Sequence, residues 1–187
     1  MSTTEVVSGR RQVGLAVALL VGAAVALSIG LYAGLHTPSG RPVVTLGFSG
    51  ILQMKTWLTT AAVAFLAVQL LTALWMWGHL PRAGLAPAWV PVLHRWSGSV
   101  AFIITLPVAF SCIWALGFQT YSLRVVAHGA FGCAFYGAYA AKMLGLRMKR
   151  LPGWALPVLG GSVSALLIAI WLTAALWFFT RHGVPLV

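Results

Sequence analysis

Five long stretches with few or no charged side chains limit what this chain can fold into: 13–35, 56–78, 96–118, 125–141 and 151–180. The hydrocarbon core of a bilayer is about 30 Å thick, and roughly 20 apolar residues of helix cross it. The stretches are continuously apolar instead of alternating, which favours helices over the strands of a barrel. Only 7% of the residues are charged and 60% are hydrophobic, which is not the composition of a water-soluble domain. We therefore predict an all-α membrane protein, a bundle of five transmembrane helices.

The predicted domain organisation follows from these stretches. Residues 1–12 form a short cytoplasmic tail, residues 13–180 a single five-helix transmembrane domain, and residues 181–187 a short outer tail. Arg124 and Lys142 bracket the shortest stretch, and their long side chains can reach the membrane surface. The predicted helices cover 13–35, 56–78, 96–118, 121–144 and 153–180.

The basic residues predict the orientation. With a cytoplasmic N-terminus, eight basic residues lie inside and four outside, as the positive-inside rule requires. The inner set is Arg10, Arg11, Arg82, Arg95, Lys142, Arg147, Lys149 and Arg150, and the outer set is Arg41, Lys55, Arg124 and Arg181.

The chain has almost no negative charge. Glu5 is its only acidic residue, and the formal net charge is +11. A carboxylate proton relay or a carboxylate metal site inside the membrane therefore has no residues to use. The positive charge points to anions from elsewhere: lipid headgroups, an acidic partner or haem propionates. Nucleic-acid binding is not expected, because the basic residues lie at membrane edges and not on a folded domain.

Histidine is the one residue type with ligand or acid-base chemistry that occurs in useful number. The five are His36, His79, His94, His128 and His182. His128 lies about two turns inside the predicted fourth helix, where an imidazole without a partner is costly. One face of this helix is polar and aromatic, and the opposite face is a stripe of small residues suited to helix packing. The first face holds Tyr121, Arg124, His128, Gly132, Phe135, Tyr139 and Lys142, and the second Ala130, Ala134, Gly137, Ala138 and Ala141.

Two histidines are each followed by a glycine four residues later, His94 by Gly98 and His128 by Gly132. A glycine one turn from a ligating imidazole removes the side chain that would collide with a flat macrocycle. This pattern on two helices indicates haem b, with His94 and His128 as iron ligands. The alternative is structural: His94 as an interfacial residue, and His128 as a hydrogen-bonding residue within the bundle.

The two histidines are not expected to share one iron. In antiparallel third and fourth helices, His128 is level with Ser111, whereas His94 lies about 20 Å nearer the cytoplasm by the helix rise. His79, across the inner loop, is the predicted partner of His94.

Several motifs resemble those of an uncharacterised family of small bacterial membrane proteins that looks like a distant relative of the cytochrome b561 type. They are Leu-His-Arg-Trp-Ser-Gly (93–98), Pro-Val-Ala-Phe-Ser-Cys (107–112), Arg-Val-Val-Ala-His-Gly-Ala-Phe-Gly-Cys (124–133), Leu-Pro-Gly-Trp-Ala-Leu-Pro (151–157) and Trp-Leu-Thr-Ala-Ala-Leu-Trp-Phe-Phe (171–179). The resemblance implies a haem-bearing bundle in the bacterial cytoplasmic membrane, with His94 and His128 at histidine positions of the pattern. Ser111 stands where that pattern commonly has histidine, and serine is no normal axial ligand. The haem at His128 is thus five-coordinate, bound through another histidine, or lost.

The leading functional hypothesis is a b-type cytochrome-like protein that passes electrons at or across the membrane. Arg124, one turn outward from His128, is expected to pair with haem propionates. The cofactor would do the redox chemistry, so no catalytic side chain is predicted. A redox partner or a respiratory complex is the expected partner, and the sequence does not determine the oligomeric state. The alternative hypothesis is a cofactor-free accessory or assembly subunit of a membrane complex.

Overall fold

The computed structural model describes residues 3–41, 43–148 and 151–184, with side chains from Gln12 onward. These residues form five long helices and no strand: α1 (Thr3–Leu35), α2 (Ile51–Met76), α3 (Trp89–Ser111), α4 (Leu123–Arg147) and α5 (Ala155–Trp171). A π-helical turn, Cys112–Leu116, extends α3. A second π-helical turn, Leu172–Leu176, joins α5 to the short helix α6 (Trp177–His182). The predicted all-α class is confirmed over the described residues.

Four of the described helical segments are long and apolar enough to cross a membrane. They are Gln12–Leu35, Ile51–Met76, Trp89–Leu116 and Ala155–His182. Helix α4 is not in this group; the basic residues near its ends, and the histidine, tyrosines and glycines between them, make it less apolar. The chain therefore has the helices of a multi-pass membrane protein, and a fifth span remains a prediction.

Several helices begin earlier than predicted. Helix α1 begins at Thr3, within the stretch predicted as a tail, 1–12. Helix α2 begins at Ile51 instead of 56, and α3 begins at Trp89 instead of 96. The predicted spans were limited to apolar residues and therefore stop at charged or polar ones. A helix continues past these limits because its backbone groups are hydrogen-bonded within the helix whatever the side chains are.

Some predicted features lie outside the described residues. Lys149 and Arg150 of the inner basic set are among them, as are residues 185–187 of the outer tail. The side chains of Arg10 and Arg11 also fall outside the described part.

The chain divides into two compact units, and the predicted single domain over 13–180 stays a prediction. The first unit comprises residues up to Thr37 together with Gly117–Thr173, which places α1, α4 and α5 in it. Helices α1 and α4 meet where Gly22 faces Gly137: a Cβ built on Gly22 would lie 2.6 Å from the Gly137 carbonyl oxygen and 2.9 Å from the Cβ of Ala141. Gly137 and Ala141 of the predicted small-residue stripe are thus confirmed as a helix-packing surface.

The second unit comprises Pro38–Leu116 and the residues from Ala174 onward. Helices α2 and α3 form its main helix pair. The backbone N–H of Ser39 donates to the carbonyl of Trp114 over 3.0 Å, in the π-helical turn after α3. Trp57 of α2 meets Phe179 of α6 edge to face, with ring centroids 5.6 Å apart. These contacts hold α6 and the loop that contains Ser39 against the α2–α3 helix pair.

Candidate functional site

The two candidate iron ligands belong to different units. His128 lies on α4 in the first unit, and His94 lies on α3 in the second. Each is therefore described in its own surroundings.

His128 meets the π-helical turn that follows α5. Its Nδ1 lies 3.1 Å from the hydroxyl oxygen of Thr173. Arg124, one turn earlier on α4, donates from Nη1 to the carbonyl oxygen of Thr173 over 2.5 Å. Two side chains from the predicted polar face of α4 thus contact one residue of the turn. Single π-helical turns within helices occur often at functional sites.

The two glycines that follow His128 have different surroundings. A Cβ built on Gly132, one turn further along α4, would meet no atom within 4 Å. A Cβ on Gly129 would lie 2.6 Å from the ring of Phe118. The α4 surface one turn from His128 therefore has room beside it, whereas an aromatic ring closes the surface next to His128.

His94 is half-buried between α3 and α2. Its Nδ1 lies 2.8 Å from the hydroxyl oxygen of Thr72 on α2. Gln69, also on α2, donates from Nε2 to the backbone carbonyl of His94 and, over 2.7 Å, to the hydroxyl of Ser97. Thr72 and Ser97 are buried, so this is a polar network inside a helix pair. Such networks in apolar surroundings hold helices in one register.

Gly98 has a local explanation within this network. A Cβ built there would lie 2.8 Å from Oε1 of Gln69. The missing side chain admits the Gln69 amide, which occupies the space beside Gly98. The same His-x-x-x-Gly pattern therefore has different surroundings on α3 and on α4.

The remaining histidines lie at helix ends. The His79 side chain is exposed just beyond α2, and its backbone N–H donates to the carbonyl of Leu74 over 2.8 Å. His36 stacks on Tyr32 with ring centroids 5.3 Å apart, and His182 stacks on Phe178 at 4.7 Å. Among the described residues, histidine, cysteine and acidic side chains form no group of three or more that could hold a metal ion.

The sequence-based search missed Gln69, Thr72 and Thr173, which contact the two candidate ligands or their backbone. A signal was available, because each is a polar side chain inside a long apolar stretch. Gln69 is the only amide side chain in the predicted second helix, 56–78. Which residue each would contact depends on how the helices pair.

The fold and the two histidine sites define an all-helical protein with helices suited to a membrane and imidazoles placed within them. The chain belongs to a family of unknown function, DUF6529, whose family model matches residues 15–186. The match covers all the helices except the start of α1.

Comparison with curated proteins and with solved structures finds no match. The resemblance to cytochrome b561 proteins that the motifs suggested is therefore not shown by these comparisons.

Proposed function

We propose that this protein is an integral b-type cytochrome-like protein of the bacterial cytoplasmic membrane that mediates electron transfer through bound haem. It would cross the membrane five times, with its N-terminus in the cytoplasm. A membrane redox partner, or a respiratory complex of which this chain is a subunit, would exchange electrons with it.

The environment of His128 is the observation that supports this proposal most directly. An imidazole lies within a long helix, its Nδ1 is hydrogen-bonded to Thr173, and the helix surface at Gly132 has open space beside it. Haem ligation uses one imidazole nitrogen while the other is held by a hydrogen bond. The donor atoms present at His128 therefore fit a haem b ligand.

Helix α4 is proposed as the fifth span although its composition is more polar. Its 25 residues measure about 37 Å, which is enough to cross the hydrocarbon core. Its small-residue face packs against α1 at Gly22 and Ala26, and Gly145 near its end meets Leu159 of α5. Arg124 and Lys142 lie near its two ends, where long basic side chains can reach the interfaces.

The proposed roles are as follows. His128 would hold the haem iron, and Arg124 would face the propionates, with one of its donors already engaged by the Thr173 carbonyl. His94 is proposed as the ligand of a second haem, with His79 as its partner at the same end of the α2–α3 pair. Bound haem would supply the reversible one-electron change of its iron, and the protein would hold and orient it.

One observation favours the alternative of a cofactor-free accessory or assembly subunit. Gln69 fills the space beside Gly98 and ties α2 to α3 through the His94 carbonyl and Ser97. At that site a histidine with a purely structural role accounts for every contact described. The case for haem is therefore stronger at His128 than at His94.

A visible difference spectrum tests the proposal. The protein is purified in detergent from haem-replete cells, and the dithionite-reduced minus oxidised spectrum is recorded for wild type, His128→Ala, His94→Ala and His182→Ala. We expect a b-type band in wild type and in His182→Ala, and a clearly smaller band in His128→Ala. Partial loss in His94→Ala would support the second haem. A colourless wild-type protein would refute the proposal and leave the accessory-subunit role.

A further inference from the structure

Both candidate ligands use the same arrangement of a threonine on a neighbouring helical segment. Thr72 lies 2.8 Å from Nδ1 of His94, and Thr173 lies 3.1 Å from Nδ1 of His128. Each hydroxyl oxygen also contacts the carbonyl four residues earlier on its own helix, at 2.6 Å for Val68 and 2.7 Å for Ala169. The recurrence in two separate units is the basis of the inference.

Proton accounting decides which way these bonds run. A hydroxyl group has one proton, and a carbonyl oxygen can only accept. The short contacts to Val68 and Ala169 therefore use the hydroxyl protons of Thr72 and Thr173, as is common for threonine within helices. The hydroxyl oxygens keep lone pairs and can accept. An imidazole that donates its Nδ1–H to the threonine oxygen satisfies both contacts.

We propose that Thr72 and Thr173 are positioning residues that hold His94 and His128 as Nδ1–H tautomers, with the lone pair on Nε2. The role of this tautomer rests on the proposed function, because Nε2 would then be the nitrogen that ligates the haem iron. A donor bond at Nδ1 also limits rotation of the ring and raises the basicity of the ligand.

The contact with a histidine distinguishes Thr72 and Thr173 from other hydroxyl residues on the same helices. Two of those residues show only the hydrogen bond to the backbone carbonyl four residues earlier. Thr59 of α2 is buried and donates to the Lys55 carbonyl over 2.7 Å. Ser164 of α5 donates to the Gly160 carbonyl over 3.0 Å. These two residues provide matched controls, since they share the backbone bond and lack a histidine.

The first test needs no haem. Protein labelled with nitrogen-15 histidine is placed in lipid nanodiscs without haem, and the protonated nitrogen of His128 is identified by NMR. We expect protonated Nδ1 in wild type, in Thr173→Ser and in Ser164→Ala, and loss of that preference in Thr173→Val. His94 should respond in the same way to Thr72→Val and not to Thr59→Val. Protonated Nε2 in wild type, or an unchanged tautomer in Thr173→Val, would overturn the inference.

The second test uses haem affinity. Loss of an outer-shell partner of a metal-ligating histidine weakens metal binding by about 10- to 100-fold. We expect Thr173→Val to weaken haem binding by that factor and to shift the reduction midpoint, with Thr173→Ser close to wild type. If wild type binds haem and Thr173→Val leaves the haem affinity and the reduction midpoint unchanged, the positioning role is refuted while the proposed function stands. A colourless wild type would refute the proposed function while the tautomer measurement still stands.

Discussion

At the scale of single residues, Gln69 links α2 to α3 by two hydrogen bonds from one amide group. It donates to the His94 carbonyl and to the Ser97 hydroxyl, whose own proton goes to the Leu93 carbonyl over 2.7 Å. Gly98 leaves the space that the amide occupies. The serine and the glycine of the His-Arg-Trp-Ser-Gly motif thus both meet one glutamine from another helix, whereas the imidazole of His94 contacts Thr72.

This arrangement predicts coupling between Gly98 and Gln69. Alanine at position 98 would push the amide away from its two acceptors, because the added Cβ would lie 2.8 Å from Oε1 of Gln69. We expect Gly98→Ala to cost about 1 kcal/mol of unfolding free energy, the usual size of an interhelical hydrogen bond in a membrane. In the Gln69→Ala background the same substitution should cost nothing.

The measurement is a double-mutant cycle of unfolding in mixed detergent micelles. Gly132→Ala is the control, since a Cβ there meets no atom within 4 Å. Additive effects of Gly98→Ala and Gln69→Ala would contradict the coupling.

At the scale of helices, the α1–α4 pair depends on close backbone approach. Gly22 and Gly137 face each other, and Ala26 and Ala141 flank them, so no side chain larger than a methyl group separates the helices at this point. Association of helices in a membrane relies on such contact, because lipid supplies no hydrophobic driving force between apolar surfaces.

Substitution of Gly22 by alanine should therefore separate α1 from α4. The added Cβ would lie 2.6 Å from a backbone oxygen of Gly137, which cannot move aside like a flexible side chain. We expect a loss of about 1–3 kcal/mol, the usual cost of overpacking, in the same micelle unfolding assay. Gly34→Ala on α1 is the matched control and should be neutral or slightly stabilising, since a Cβ there meets nothing within 4 Å. Equal effects of the two substitutions would rule out this packing role.

The π-helical turn Leu172–Leu176 supplies contacts between helical segments. It holds Thr173, whose hydroxyl and carbonyl oxygens contact His128 and Arg124 of α4. A π-helical turn adds one residue to the ladder and so changes the direction of the side chains that follow it. The turn therefore places Thr173 beside His128 and Arg124 within the first unit.

At the scale of the whole molecule, the proposed five-span topology places the outer loop and the loop after α2 on opposite sides of the membrane. Ser39 and Leu85 are exposed residues of these two loops, and Leu85 is 98% exposed. Cysteine accessibility at the two positions distinguishes the orientations directly.

We expect Ser39→Cys, in a chain whose Cys112 and Cys133 are replaced by alanine, to react with a membrane-impermeant maleimide on intact spheroplasts. Leu85→Cys should react only after permeabilisation, because the positive-inside rule places its loop in the cytoplasm. The cysteine-free chain is the control for background labelling. The reverse pattern would invert the topology, and labelling of both sites on intact cells would exclude a span between them.

The sequence by itself determined the helical class and the placement of His128 within a helix. His94 lay just before the predicted third helix, 96–118, and only the structure includes it in α3. Continuous apolar stretches require internally satisfied backbone groups, and this requirement is local to each stretch. The helix starts were predicted less well, since charged residues such as Lys55 end an apolar stretch without ending a helix.

Only the tertiary structure decided what each histidine contacts. His94 and His128 carry the same spacing to glycine, yet Gln69 fills the space beside Gly98 while the space beside Gly132 stays open. The roles of Thr72 and Thr173 arise in the same way, from side chains more than 20 residues away along the chain. The register between helices and the extra residue of a π-helical turn bring such groups together, and neither follows from the hydropathy of a single helix.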